Sequence, residues 1–157
     1  MLFKKYKALI ISIAISLGIG AISSLFLGGD TKEYYMNLSR PPLSPPSIVF
    51  PIVWTILYIL MGISAYLVYK SDCKEKNTTL ILYGVQLFIN FMWTLLFFKL
   101  HLMLFSFIWL LLLIFVLILL FKKFHSCSKI AAYLLIPYIL WCMFAAYLNL
   151  GIFILNK

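Results

Sequence analysis

The chain has 157 residues, of which 65% are hydrophobic and 11% charged, and its mean hydropathy is +1.09. Soluble domains run about 45–50% apolar and about 25% charged, and a fold this small keeps too much surface exposed to hide the excess, so a free-standing soluble enzyme and a disordered chain are both excluded. The net charge of +9 would suggest nucleic acid in a soluble protein; in a membrane protein basic residues report topology and contact with anionic lipid, and no nucleic-acid partner is expected.

Charges and uncharged runs alternate along the chain. Spans are expected at about 8–27, 48–69, 78–98, 102–121 and 130–155, separated by polar clusters. Each is close to the ~20 residues with which a helix crosses ~30 Å of hydrocarbon. The runs are continuously apolar, without the alternation of a barrel strand, and a helix satisfies its own backbone groups in lipid. The predicted fold is an all-α integral membrane bundle of five transmembrane helices, one domain over residues 1–157.

The first run follows Lys4, Lys5 and Lys7. Its apolar core exceeds the ~7–15 residues of a signal peptide and no A-x-A site follows, so a retained helix is expected. Ser12, Ser16, Gly20 and Ser24 recur every four residues. Small residues so spaced admit a close neighbour, read here as packing within one subunit. The loop over 28–47 holds Arg40-Pro41-Pro42-Leu43-Ser44-Pro45-Pro46. Such a segment favours stiff polyproline II, and loops beyond ~12–15 residues are often functional. A rigid cap is the expectation.

The second span places Phe50, Trp54, Tyr58 and Gly62 on one face. The third does so with Gln86, Asn90, Trp93 and Phe97, and the fifth with Pro137, Trp141, Ala145 and Leu148 or Asn149. Tryptophans of membrane proteins usually sit at the lipid–water boundary. Here Trp54, Trp93, Trp109 and Trp141 all fall inside spans, and Trp54 and Trp93 should lie roughly 8–10 Å beneath the first-loop boundary. Two readings fit this periodicity: a packed aromatic core with interhelical amide bonds, or three faces converging on a pocket under the cap. Buried amides need partners, so Gln86, Asn90 and Asn149 should point inward.

No Asp, Glu, Lys or Arg falls inside a span, which weighs against a charge-coupled transporter. No metal site is expected, since His101 and His125 stand at opposite boundaries, and no buried acid–base pair is available. The N-tail, second loop and fourth loop hold nine basic residues, Lys4, Lys5, Lys7, Lys70, Lys74, Lys76, Lys122, Lys123 and Lys129, against four on the other side, Lys32, Arg40, Lys99 and Lys157. Positive-inside counting therefore predicts the N-terminus inside and the C-terminus outside a bacterial-type plasma membrane. Cys73 and Cys127 then face the reducing side and are expected as free thiols, and Cys142 as an apolar filler.

Three motifs carry a family resemblance. Loop and second span read Tyr34-Tyr35-x-x-Leu38-x-Arg40-Pro41-x-x-x-Pro45-Pro46-x-x-Val49-Phe50-Pro51-x-Val53-Trp54-x-x-Leu57-Tyr58-x-x-Met61-Gly62. The third span reads Gln86-Leu87-x-x-Asn90-x-x-Trp93-x-x-x-Phe97-Phe98, and the fifth Pro137-Tyr138-x-x-Trp141-x-x-Phe144-Ala145-x-x-Leu148-Asn149. In order and placement they resemble the TspO/MBR family of tryptophan-rich sensory and translocator (peripheral benzodiazepine receptor) proteins. The resemblance implies a five-helix bundle whose first loop caps a pocket for porphyrins and drug-like planar ligands, and in several bacterial members light-dependent oxidation of protoporphyrin IX. Carried onto this chain, the pocket residues are Trp54, Asn90, Trp93, Trp141, Ala145 and Leu148, with Tyr35, Pro45 and Tyr58 beside them. Tyr34, Ile48 and Phe153 stand where many members have Trp. The stretch Leu148-Asn149-Leu150-Gly151-Ile152-Phe153 lacks the Tyr and basic residue of the proposed cholesterol motif, so cholesterol is not an expected partner.

The resulting expectation is a membrane receptor for tetrapyrroles, with no intrinsic cofactor. Trp54 and Trp141 flank the ring and serve as redox groups if the bound ring is photo-oxidised, Asn90 gives the polar contact, and Arg40 or Lys32 meets propionates at the mouth. Transport of the same ligands is the alternative reading. A homodimer is compatible with small residues such as Gly84.

Overall fold

The structure is a computed structural model and describes residues 2–157; the Lys5 side chain, one of the nine basic groups counted above, lies outside the described set. Five helical segments are long and apolar enough to cross a membrane: Tyr6–Leu27, Val49–Lys70, Lys76–Lys99, Met103–Cys127 and Lys129–Leu155. In elements these are α1 (Leu2–Leu27), α3 (Val49–Lys70), α4 (Lys76–Thr94) with a π-helical turn (Leu95–Lys99), α5 (Met103–Cys127), and α6 (Lys129–Leu134) running into α7 (Ile136–Leu155). A seven-residue helix, α2 (Thr31–Asn37), lies between the first two spans. The protein is an all-α five-span bundle, and no strand occurs among the described residues.

The spans close into a ring. The first packs on the second, the second on the fifth through α6, the fifth on the fourth, the fourth on the third, and the third returns to the first. The small face of α1 makes the closest approach. Ser12 Oγ donates to Gly62 O at 2.7 Å and Ser16 Oγ to Tyr58 O at 2.6 Å. A Cβ on Gly62 would lie 2.5 Å from Ile13 Cα, which is backbone and cannot yield. Gly62→Ala is therefore expected to destabilise the bundle by about 1–3 kcal/mol through overpacking. Gly18 has nothing within 4 Å of a built Cβ, so Gly18→Ala is expected to be neutral or to gain up to ~1 kcal/mol of helix propensity. Thermal unfolding of both variants in one detergent checks the pair, and equal melting temperatures would contradict the close contact.

Two local departures from regular helix position the site. The first is the π-helical turn at Leu95–Lys99, just after Thr94 Oγ1 donates to Asn90 O at 3.2 Å. Such turns are rare and often accompany functional sites. This one turns consecutive rings inward: Phe97 and Phe98 lie 6.0 and 6.2 Å from Trp93. The second is the handover at Leu135, where Pro137 stands in the first turn of α7 and its missing N–H costs no helical bond.

The cap is more ordered than a polyproline spacer. Besides α2, its Pro-rich half is tied to the end of α7: Asn156 Nδ2 donates to Ser39 O at 2.7 Å, Ser39 N–H to Asn156 Oδ1 at 3.0 Å, and Tyr147 OH to Pro42 O at 2.7 Å. Gly151 leaves room for Pro41, whose Cγ would sit 2.6 Å from any added Cβ. Tyr34 stacks on His101 with centroids 3.9 Å apart. Its hydroxyl is buried without a partner, and burial raises its pKa.

The expectation of free thiols at Cys73 and Cys127 is corrected. The two form a disulfide, with Cα atoms 5.0 Å apart and 54 residues between them in sequence. The second loop folds over the end of α5, where Lys123 Nζ also meets Glu75 Oε2 at 3.0 Å. The expectation rested on the redox state of one side of the membrane and not on this approach of two loops. Cys142 is a buried free cysteine.

Candidate functional site

Below the cap lie adjoining chambers. The main one, about 290 Å³, opens between α1, α3 and α4 and is lined by Trp54, Tyr58 and Trp93 together with Gly20, Ser23 and Phe98. A second, about 270 Å³, lies under α2 between Tyr35, Lys32 and Ile48. A third void of about 20 Å³ touches Ala145, Leu148 and Asn149. Phe50 and Phe98 border all three.

Trp54 is the hub of the aromatic set. Its ring lies 5.8 Å from Tyr58, 6.2 Å from Trp93 and 6.0 Å from Tyr138. Offset and edge-on pairs at such separations add to the packing. Tyr35 is almost wholly buried; its hydroxyl donates to Pro45 O at 2.9 Å, and the Arg40 guanidinium lies 4.8 Å above its ring. Tyr35 and Pro45 thereby pin the cap, and Lys32 and Arg40 stand exposed at its rim.

Polar groups beneath the rings are used sparingly. Asn90 Nδ2 donates to Tyr58 OH at 3.2 Å, whereas Asn90 Oδ1 is buried without a partner. Trp93 Nε1 donates to Asn149 Oδ1 at 3.1 Å. Tyr138 OH donates to Gln86 Oε1 at 2.9 Å. Trp109, outside the site, donates its indole N–H to Ile89 O at 2.8 Å. Buried amides in an apolar interior thus serve as interhelical ties, as the cost of leaving them unpaired requires.

The nine residues singled out from the sequence are distributed over these spaces. Trp54, Tyr58 and Trp93 share the main chamber, with Asn90 directly behind Tyr58. Ala145 and Leu148 meet Trp93 only in the small void. Trp141 lines a different, outward-facing groove between α3 and α7 with Pro137 and Phe144. Phe50, 5.9 Å from Trp141, separates it from Trp54. Its indole N–H is buried without a partner. Periodicity did not single out Phe98, which the π-helical turn brings in, or Ser23 of α1, and it marked Gly20 only as a packing position. The small-residue pattern of α1 was the available signal for the latter.

Fold and site together define a five-span integral membrane protein with a capped aromatic cavity whose main chamber has no charged residue in its lining. The TspO/MBR family profile matches residues 12–155, and the chain belongs to the TspO/MBR family. It is 36% identical over 155 residues to the Tryptophan-rich protein TspO of Chlorobaculum tepidum, covering 98% of each chain. It is 33% identical to the protein of that name from Archaeoglobus fulgidus, covering 94% of this chain and 96% of that one. It is also similar to the Translocator protein of Ovis aries, at 35% identity over 133 residues, 83% of this chain and 79% of the relative.

Proposed function

We propose that this protein is a membrane receptor for tetrapyrroles of the protoporphyrin IX kind and for other planar apolar ligands, seated in the chambers beneath the cap. The observation that carries the reading is the pairing of Trp54 and Trp93, 6.2 Å apart in the lining of a cavity without charged residues. Apolar burial would supply most of the affinity and a few placed polar groups the orientation. Asn90 acts through Tyr58, whose hydroxyl accepts from Asn90 Nδ2 and whose ring lines the main chamber, and Lys32 and Arg40 at the rim suit propionates. The lysine count favours the N-terminus inside a bacterial-type plasma membrane, whereas the Cys73–Cys127 disulfide on that same face argues for an oxidising side there.

Light-dependent oxidation of the bound ring extends this reading. Trp54 is packed against Tyr58, Tyr138 and Trp93, so the excited ring can take an electron from this aromatic set and pass it to dioxygen as superoxide; the indole radical cation then takes an electron from the ring, which restores Trp54 and leaves the ring one-electron oxidised, with dioxygen as the net oxidant. The ligand carries the hard chemistry and the protein positions it. The test is titration of purified protein with protoporphyrin IX, in the dark and under illumination. Trp54→Leu is expected to weaken dark binding about three- to tenfold, the worth of one aromatic contact. Trp54→Phe is expected to bind the ring yet bleach it only as fast as a protein-free control. Unchanged affinity in Trp54→Leu would remove the main chamber from the site.

A further inference from the structure

At the end of the bundle away from the cap, α1, α3 and α4 part to leave a groove of about 480 Å³. Ala8, Tyr69 and Leu80 border its outer end and Ile15, Ala65 and Leu87 its inner end. At 1.5 Å per residue, the two turns from Leu80 to Leu87 make it roughly 10 Å deep. Gly84 forms the floor, and a Cβ there would meet nothing within 4 Å.

Its walls run in register into lysines. On α4, Lys76 precedes Leu80, Gly84 and Leu87 on one helix face, and on α1 Lys4 precedes Ala8, Ile11 and Ile15 in the same way. Lys70 follows Tyr69 directly. Lys76 is held in place: its Nζ donates to Tyr69 O at 3.1 Å and to Ser71 O at 3.0 Å, and stands 5.8 Å from the Tyr69 ring centroid. Two carbonyls anchor this ammonium without cancelling its charge, and a third N–H remains. Of the two carboxylates in the adjoining loop, Glu75 is taken by Lys123 at 3.0 Å, and Asp72 is exposed.

We propose that this groove seats an acyl chain of an anionic phospholipid, with the headgroup phosphate on Lys76 and with Lys4 and Lys70 beside it. An apolar slot opening outward from a helical bundle and ending at a fixed cation matches the two-part chemistry of such a lipid. A peptide is a poor occupant, since helix walls offer its backbone no hydrogen-bond partners. A second copy of the chain is poorer still, because a twofold contact presents each patch to itself and sets lysine rim against lysine rim.

The test is native mass spectrometry of the protein released from micelles holding equal dioleoylphosphatidylglycerol and dioleoylphosphatidylcholine. Wild type is expected to retain the anionic lipid at least fivefold over the zwitterionic one. Lys76→Gln should reduce that ratio to near one and Lys76→Arg restore it. Lys122→Gln, on the same side but on α5, should leave it unchanged. Gly84→Leu, which fills the floor, should lower anionic-lipid retention at an unaltered melting temperature. Equal retention of the two lipids by wild type overturns the proposal, as does a Lys76→Gln protein as selective as wild type, or a Gly84→Leu protein with undiminished retention. A dimer that covers Gly84 in cross-linking would assign the groove to a second copy instead. If Lys76→Gln does not fold, Lys76→Arg and Gly84→Leu decide.

Discussion

In detergent, Asn149→Leu is expected to lower the stability of the bundle by about 2–3 kcal/mol, close to a hundredfold in the folding constant. Asn149, on α7, joins three spans through its side chain. Its Oδ1 accepts from Trp93 Nε1 on α4 and from Ser106 Oγ on α5, both at 3.1 Å, and its Nδ2 donates to Met103 O at 2.8 Å. Leucine keeps the volume and removes all three bonds. Ser106 Oγ retains Met103 O as an acceptor at 2.9 Å, so its loss is partial. The Trp93 N–H has no such second partner, and an orphaned buried donor costs about 1–3 kcal/mol. Hydrogen bonds between transmembrane helices average only about 0.6 kcal/mol, with a maximum near 1.7, so the orphaned donor dominates. A Trp93→Phe background isolates it: Asn149→Leu should then cost roughly half as much. Thermal unfolding of the four proteins measures the coupling, and additivity between the two substitutions would refute the tie.

What the sequence made legible follows from what each physical signal reports. The five spans were readable because charge is excluded from hydrocarbon, so Lys70 to Lys76 and Lys122 to Lys129 mark membrane boundaries directly. The inward aim of Gln86, Asn90 and Asn149 was readable for the same reason, an unpaired amide in lipid being costly. The close face of α1 was readable from small residues every fourth position, although which helix it meets was not.

The π-helical turn was hidden, because Leu95-Leu96-Phe97-Phe98-Lys99 has the same hydropathy in either helix type. Phe98 could therefore not be placed on the cavity. Helix α2 is a seven-residue element in a polar stretch, too short for periodicity to register. The Cys73–Cys127 bond depends on two loops meeting across 54 residues, which no local pattern encodes. Trp141 shows the limit most plainly. Its Cα shares a helix face with Ala145 and Leu148, but a ring that size departs from the face by rotating about its side-chain bonds. Spacing gives the direction of the Cα–Cβ bond, not the side of α3 on which the indole lands.

Phe50→Ala is expected to speed association of protoporphyrin IX about tenfold while costing about 2–3 kcal/mol of stability. The stability term comes from two edge-on ring contacts, to Tyr35 at 5.0 Å and to Trp141 at 5.9 Å, each worth about 0.5–1.5 kcal/mol, with a cavity term added for a half-buried ring. The kinetic term follows from the partition that Phe50 makes. Chambers of about 290 and 270 Å³ lie on its two sides, each just short of the ~300–1,000 Å³ that drug-sized ligands occupy. A tetrapyrrole is larger than either, so the proposed function requires the Phe50 ring to rotate aside before or as the ligand enters, with apparent affinity reduced by the fraction of molecules in which it has done so. Alanine removes one of the two rings, Phe50 and Phe98, that border both chambers, and that fraction rises. A planar ligand small enough for the main chamber alone should gain nothing, which separates removal of a partition from general loosening of the bundle. Stopped-flow quenching of tryptophan fluorescence reads both rates. An unchanged porphyrin rate, or an equal acceleration for the small ligand, would mean that Phe50 packs the cap without dividing the site.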